Sequence, residues 1–484
     1  MQSRKAGGMK QLRACALSLL TLVCTSCDTM NSVTNSVFGP SGPPVGQPGH
    51  ITGFLGGVVA DEPRAALAAR QILSAGGSAA DAAVALGFVL SVTLPSRAGL
   101  GGGGACIAYD ADSKSINKGQ PEAILFLPVP GVAAGPSADR PAAVPMLARG
   151  LYLLHARYGR LPFESLIVPA EQLARFGTPT PRVLANDLAL VAGPLLADPN
   201  ARAVFSQNGT PLAEGQNLVQ ADLAATLSRM RVEGVGDLYT GALARRIEQA
   251  SPVAGGPITL ADMRGALPKL GTPIVSPDRH DQVAFLPPPA DGGLAAAAAF
   301  AVLQHDPSAF GAAAARGLAA AERWRAGGVT AEEVLHATDL QVQPMPALPA
   351  STSFVTLDKD GNAVACSVSM DNLFGTGRVL PGMGILLAAS PSVVPTPLYS
   401  AAIAWNDNVH AFRAAVGGSG QDGAPMAVAV GMLNALHSNG PMRAPVPDPG
   451  RANVIECYRY LPGENGSCGW ATDPREPGLA VGGT

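Results

Sequence analysis

Apolar residues recur at i, i+3, i+4 and i+7 along MLARGLYLLHARYG (residues 146–159) and ADLAATLSRMRVEG (residues 221–234). That period lines one face of a helix, and residues 142–250 read as mostly helical. Ahead of them, GGVVADEPRAALAARQILSAGGSAADAAVALGFVLSV predicts a short strand around residues 58–60. A helix of strong formers follows, from about Pro63 to Ser74, closed by Gly76-Gly77. Ser78 is placed to cap a second helix, Ala-rich and apolar on most faces, hence buried. From Ser351 the texture changes. STSFVTLD, AVACSVSM, GILLAA, AAIAWND and HAFRAAVGG are short β-type runs separated by turn signals such as Asp360-Gly361-Asn362. A helix over about residues 425–437 follows, and a hairpin around YRYLPGENGS closes the pattern. Helices and strands are partly segregated, which favours an α+β architecture of stacked layers.

The length of 484 residues calls for one large fold or two intimately packed domains. Hydrophobic residues make up 47% and charged ones only 14%, as large buried layers require. With a net charge of −3 and no basic stripe, a nucleic-acid partner is excluded. Residues 1–27 read as a signal peptide: a basic MQSRKAGGMKQLR, then an apolar run too short to span a bilayer. Cys27 closes that leader as a lipoprotein-type acceptor, with simple secretion as the alternative, and any membrane contact is through that lipid. Residues 28–50, rich in Ser, Pro and Gly, form a flexible tether.

Cysteine usage separates three groups. Cys15, Cys24 and Cys27 belong to the leader, while Cys106 and Cys366 sit in apolar runs and read as free buried thiols. Cys457 and Cys468 flank a turn, where a disulfide can form in an oxidising compartment. No cysteine pair or histidine cluster has ligand spacing, so no metal and no cofactor are expected. Gly99-Leu100-Gly101-Gly102-Gly103-Gly104 matches GxGxxG, but its order is helix, glycines, strand. A dinucleotide site needs strand, glycines, helix, so these glycines instead allow a close backbone approach.

The stretch from residue 56 through GLGGGGACIAYD resembles the opening of gamma-glutamyltransferases. So do YGRLPFESLIVPAEQLARFG, LVQADLAATLSRM, GGPITLADM, LPPPADGG, LDKDGNAV, LFGTG, GILL, VGGSG and WATDPREPGLAVGG, in order from about residue 52 to 482. The resemblance implies an N-terminal-nucleophile hydrolase fold, a four-layer α-β-β-α sandwich. It also implies a proenzyme that cuts itself into a heterodimer, here residues 51–350 and 351–484. The new N-terminal residue would be the nucleophile, with its own α-amine as base; the amine's ordinary pKa of about 7.7–8.0 suits that role. Counting back from Asp358, the family's catalytic threonine falls on Ser351, with Thr352 as the alternative if the register shifts by one. By the same likeness Gly417-Gly418 would hold the oxyanion, and Ser369 would support the nucleophile.

The substrate pocket departs from the family. Its carboxylate-binding Arg is Leu127 here, its Asn is Asp371, and its Ser-Ser pair is Tyr399-Ser400. After GILL no acidic pair follows, and Arg378 is a candidate replacement anion anchor, a solvated loop arginine otherwise. Thr352, Asp371, Tyr399 and Ser400 are carried as substrate-binding positions. A buried carboxylate without a cation costs several kcal/mol, so the glutamyl pocket reads as dismantled. The expectation is an exported amidohydrolase or acyltransferase acting on a small amide or peptide, with γ-glutamyl compounds such as glutathione as the family-level substrates. The rival is a catalytically silent envelope binding module.

Overall fold

The structure is a computed structural model that describes residues 49–112, 114–132, 138–340, 350–437 and 446–483. The leader with Cys27, and the tether up to residue 48, lie outside the described residues. In chain order the principal strands are β1 (Gly56–Ala60), β2 (Gly103–Tyr109), β3 (Glu122–Phe126), β4 (Lys269–Gly271), β5 (Ile274–Asp278), β6 (Asp281–Phe285), β7 (Ser351–Asp358), β8 (Ala363–Ser369), β9 (Ser400–Asn406), β10 (Ala411–Ser419), β11 (Arg451–Leu461), β12 (Cys468–Ala471) and β13 (Leu479–Gly482). They build a seven-stranded sheet, β4-β3-β2-β8-β7-β1-β13, and a six-stranded sheet, β5-β6-β9-β10-β11-β12. Every pairing in both is antiparallel.

Strand alternation sorts the side chains into layers. Val59, Ile107, Val355 and Leu357 meet Ala401, Ile403, Trp405 and Ile455 in the core between the two sheets. Their neighbours Val58 and Phe354 turn the other way, into a core shared with α1 (Pro63–Ser74), α2 (Ala79–Thr93), α3 (Leu147–Tyr158) and α4 (Phe163–Phe176). Phe285, Ala402 and Val416 pack outward against α5 (Gly292–His305) and α6 (Ala424–His437). The order is helices, sheet, sheet, helices: the four-layer sandwich expected.

Local chemistry places the helices. Glu62 caps α1, accepting from the N–H groups of Arg64 and Ala65, and Pro63 fills the first turn. Ser78 and Asp81 form a reciprocal capping box at the start of α2, which is buried along its whole length. The GLGGGG segment lets backbones approach: a Cβ at Gly101 would stand 2.0 Å from the carbonyl oxygen of Leu386, and one at Gly102 2.5 Å from that of Ser369. GILLAA is not a strand. It makes only isolated bridges, such as Gly101 with Leu387, because Gly382 and Gly384 turn the chain with left-handed φ of 65° and 68°.

The hairpin disulfide Cys457–Cys468 is present between residues in register on β11 and β12. Cys106 and Cys366, expected as free thiols, are instead bonded to each other across β2 and β8, with Cα atoms 4.1 Å apart. Their burial was legible, but their pairing depends on a strand order that brings together residues 260 apart in sequence. Replacing both by Ala is expected to lower stability by roughly 2–5 kcal/mol, read from the denaturant midpoint. No change in midpoint would mean that the bond adds nothing to the sheet.

Candidate active site

Ser351 opens β7 and is 4% exposed. Val355 and Leu357, further along the same face, lie in the core between the sheets. Ser353 also faces that layer: a Cβ on Gly417 of the opposite sheet would stand 2.9 Å from its Cβ. Thr352 points the other way. Its hydroxyl donates to Asp61 Oδ2 at 2.6 Å, as Thr356 donates to the Ala79 carbonyl of α2 at 2.7 Å. Thr352 is therefore on the wrong face both to replace Ser351 and to meet a substrate beside it.

Ser351 stands directly opposite Ser369 in the β7–β8 register. The Ser369 hydroxyl donates to the Ala350 carbonyl oxygen at 2.7 Å, which belongs to the peptide bond just before Ser351. Its own oxygen accepts from the Asp371 N–H at 2.9 Å. On the far side, the Gly420 N–H reaches Ser351 Oγ at 3.4 Å. Gly420 has φ 101°, and a Cβ there would stand 2.3 Å from the Pro449 carbonyl oxygen, so only glycine fits.

Gly417 and Gly418 do not supply that amide. Both lie inside β10, in register with Ala401 and Ser400 on one side and with Asn453 and Ala452 on the other. A central strand commits its N–H groups to its neighbours. Their lack of side chains serves packing: a Cβ at Gly418 would stand 2.6 Å from the Ala424 carbonyl oxygen at the start of α6. The readable signal was the later glycine of VGGSG, where strand gives way to helix.

Asp371 and Tyr399 are brought together. The Tyr399 hydroxyl donates to Asp371 Oδ1 at 3.0 Å. Asp371 is 2% exposed with φ 60°, and its Oδ2 has no hydrogen-bond partner. Burial pushes its carboxyl up to about 7, against the opposing pull of the Tyr399 hydrogen bond. Burial, then the adjacent carboxylate, raises the Tyr399 phenol well above its ordinary value. Ser400 turns away, donating to the Leu398 carbonyl at 2.9 Å.

Two residues that sequence reasoning missed hold β7 in place. Asp61 accepts from Thr352, from the Ser353 N–H at 3.3 Å and from Asn453 Nδ2 at 2.7 Å. Asn453 also donates to the Ser353 carbonyl at 2.9 Å and to its hydroxyl oxygen at 3.0 Å. The signal was an acidic residue at the end of β1, in VADEP. A cavity of about 700 Å³ begins one residue past Asp371, lined by Asp139, Arg140, Pro194, Asn372, Thr376 and Val393 among others; Ser351 is not in its wall. Arg378 is paired with Asp139 at 2.5 Å.

The gamma-glutamyltranspeptidase family model matches residues 65–327, more than half of the chain, and ends ahead of Ser351. The glutathione hydrolase proenzyme of Escherichia coli (strain K12) is 30% identical over 364 residues, 66% of this chain and 63% of that protein. The Acylase ACY 1 proenzyme of Pseudomonas sp. (strain SE83) is 34% identical over 259 residues, 50% of this chain and 46% of that one. The chain thus spans less than two thirds of the length of these relatives. Cephalosporin acylase from Bacillus halodurans shares the fold with a TM-score of 0.70 at 19% identity, covering 92% of this chain and 99% of that one. The Helicobacter pylori gamma-glutamyltranspeptidase gives 0.52 at 24% identity, covering 63% and 95%.

The raised carboxyl of Asp371 has a sign that can be checked. Unfolded, the group titrates near 3.9; folded, near 7. Its contribution to stability is complete below about pH 4 and is lost as pH rises through about 7. Asp371→Asn, neutral throughout, is expected to gain in melting temperature over wild type between about pH 4 and pH 8. A difference independent of pH would contradict a buried, uncompensated carboxyl.

Proposed function

The chain belongs to the gamma-glutamyltranspeptidase family, and from that premise we propose that it is an exported amide acyl-transfer enzyme that first cuts itself between Ala350 and Ser351. The observation that carries this reading is the 2.7 Å hydrogen bond from the Ser369 hydroxyl to the Ala350 carbonyl. It polarises the one carbonyl that Ser351 Oγ must attack, and it sits where negative charge would develop on that oxygen.

The chemistry runs in two stages. Ser351 Oγ attacks the Ala350 carbonyl carbon. The C–N bond breaks, the nitrogen takes the hydroxyl proton, and an ester links Ala350 to Ser351 Oγ. Water hydrolyses that ester, leaving a carboxylate on Ala350 and a free α-amine on Ser351. With a pKa near 8, the amine can then take the proton of its own hydroxyl as the latter attacks a substrate amide. The Gly420 amide, 3.4 Å from Ser351 Oγ, is a backbone donor beside the reacting atoms. The acyl group passes to water or to an amine.

The pocket favours an acyl group without a charged carboxylate. Leu127 is apolar, Arg378 is engaged by Asp139, and Asp371 offers a carboxylate no positive charge. γ-Glutamyl compounds, glutathione included, are the family-level alternative. A silent binding module is the second reading, favoured by these same losses. Two disulfides suit the oxidising compartment that a signal peptide implies, with Cys27 as the proposed lipid anchor.

Intact mass of protein lacking residues 1–27 tests the cut. Cys106–Cys366 joins residues on either side of Ser351, so the pieces should separate only after reduction. Wild type is expected to give two fragments breaking between Ala350 and Ser351, and Ser351→Ala one uncut chain. Turnover on neutral acyl amides should exceed that on γ-glutamyl amides by tenfold or more. One uncut chain in both proteins would refute the enzyme and leave the binding module.

A further inference from the structure

A cut before Ser351 turns the start of β7 into a chain end. The amine that serves as base and the hydroxyl that serves as nucleophile both sit on that end, and the first residues of a chain fray unless they are tied down. β7 is tied unevenly there. β8 pairs with it from Ser351 onward, opposite Ser369. β1, on its other edge, pairs only from Phe354, opposite Ala60. The chain then leaves the ladder, because Glu62 caps α1 and Pro63 opens it. Residues 351–353 therefore lie beyond the reach of the β1 ladder.

Two side chains take the place of the missing strand. Asp61, the residue after Ala60, accepts on Oδ2 from the Ser353 N–H at 3.3 Å and from the Thr352 hydroxyl at 2.6 Å. Asn453 reaches across from β11 of the other sheet and donates to the Ser353 carbonyl at 2.9 Å and to Asp61 Oδ1 at 2.7 Å. A strand partner would give that N–H an acceptor and that carbonyl a donor. The carboxylate and the amide give the same two, and they are bonded to each other. The Ser353 hydroxyl oxygen, 3.0 Å from Asn453 Nδ2, is a third acceptor around the nitrogen, so the amide faces Ser353 with its donor end. Asp61, Thr352, Ser353 and Asn453 are each between 0 and 3% exposed, so water does not compete for these bonds. In an uncut chain the backbone through Ala350 also holds Ser351. Once that bond is cut, β8 and this pair of side chains are what grips the strand end.

We infer that Asp61 and Asn453 are positioning residues for turnover, standing in for a strand partner so that the freed α-amine of Ser351 stays beside its own hydroxyl and Ser369. This rests on the self-cleavage reading and adds what keeps the product of that cut in working order. It also gives the pair a larger effect on turnover than on the cut itself.

The test compares the full chain as wild type, Ser351→Ala, Asn453→Ala, Thr352→Val, which loses the hydroxyl and keeps the shape, and Thr352→Ser, which keeps the hydroxyl. Intact mass gives the extent of the cut, and kinetics on a neutral acyl amide give kcat and KM. Hydrogen exchange on the peptide that opens at Ser351 reports fraying without any substrate. Asn453→Ala and Thr352→Val are expected to be cut within about threefold of the wild-type rate, with kcat lower by about tenfold or more at an unchanged KM, since a small misplacement of a reacting group can cost about 10²-fold. Thr352→Ser should recover most of that loss. Exchange at the Ser353 amide should rise about tenfold in cut Asn453→Ala, and by less than about threefold when Ser351→Ala keeps that variant whole. Wild-type kcat or wild-type exchange in the cut variants, or a cut lost in both of them, overturns the inference and leaves self-cleavage standing. If wild type is cut but turns over none of the amides offered, the exchange decides alone. Wild type as uncut as Ser351→Ala overturns both.

Discussion

The chemistry of this protein depends on one strand register. Antiparallel pairing of β7 with β8 sets Ser351 opposite Ser369, and that alone brings a hydroxyl donor to the Ala350 carbonyl. A slip of one residue would turn Ser351 into the helical layer and put Thr352 in its place. The register is held at both ends. Asp61 and Asn453 clamp Thr352 and Ser353 near the start of β7. At its other end Asp358 accepts from the Ala79 N–H at 3.1 Å and from Asn362 Nδ2 at 2.9 Å. The Cys106–Cys366 bond fixes β8 to β2 from the other side.

The second constraint is the closeness of the layers. Ser353 can sit under Gly417 only because no side chain intervenes, and Gly420 can turn its amide toward Ser351 only with a left-handed φ. Glycines at the ends and crossings of strands thus bring one sheet's backbone to Ser351 on the other sheet. The cost is entropic, since each glycine loses more freedom on folding than any other residue. Broad apolar burial between and outside the sheets offsets it.

What was legible in the sequence was local. The bounds of α1, the Ser78 cap and the strand at Ser351 follow from propensity, capping and alternation, which act over a few residues. The four-layer fold and the place of Ser351 came through resemblance to a family, carried by many motifs in order. What was not legible required knowing which strands are neighbours. The Cys106–Cys366 pair and the Asp61–Asn453 clamp join residues 260 and 392 positions apart. Gly417-Gly418 misled for the opposite reason. A glycine pair has two uses, turn or close packing, and only the position of the strand end decides which applies.

The departures in the pocket are best understood as one coupled change. An Asp where the family has Asn would be a poor exchange alone, because an isolated buried carboxylate costs several kcal/mol. Tyr399 alters that balance: its hydroxyl gives Asp371 a donor. Burial does the rest by favouring the protonated acid, which presents one donor and one acceptor, as an Asn amide does. With its carboxyl pushed up to about 7, Asp371 is half neutral at that pH and mostly neutral below it. A neutral site discriminates against carboxylates by leaving them unpaired and accepts uncharged acyl groups without that penalty.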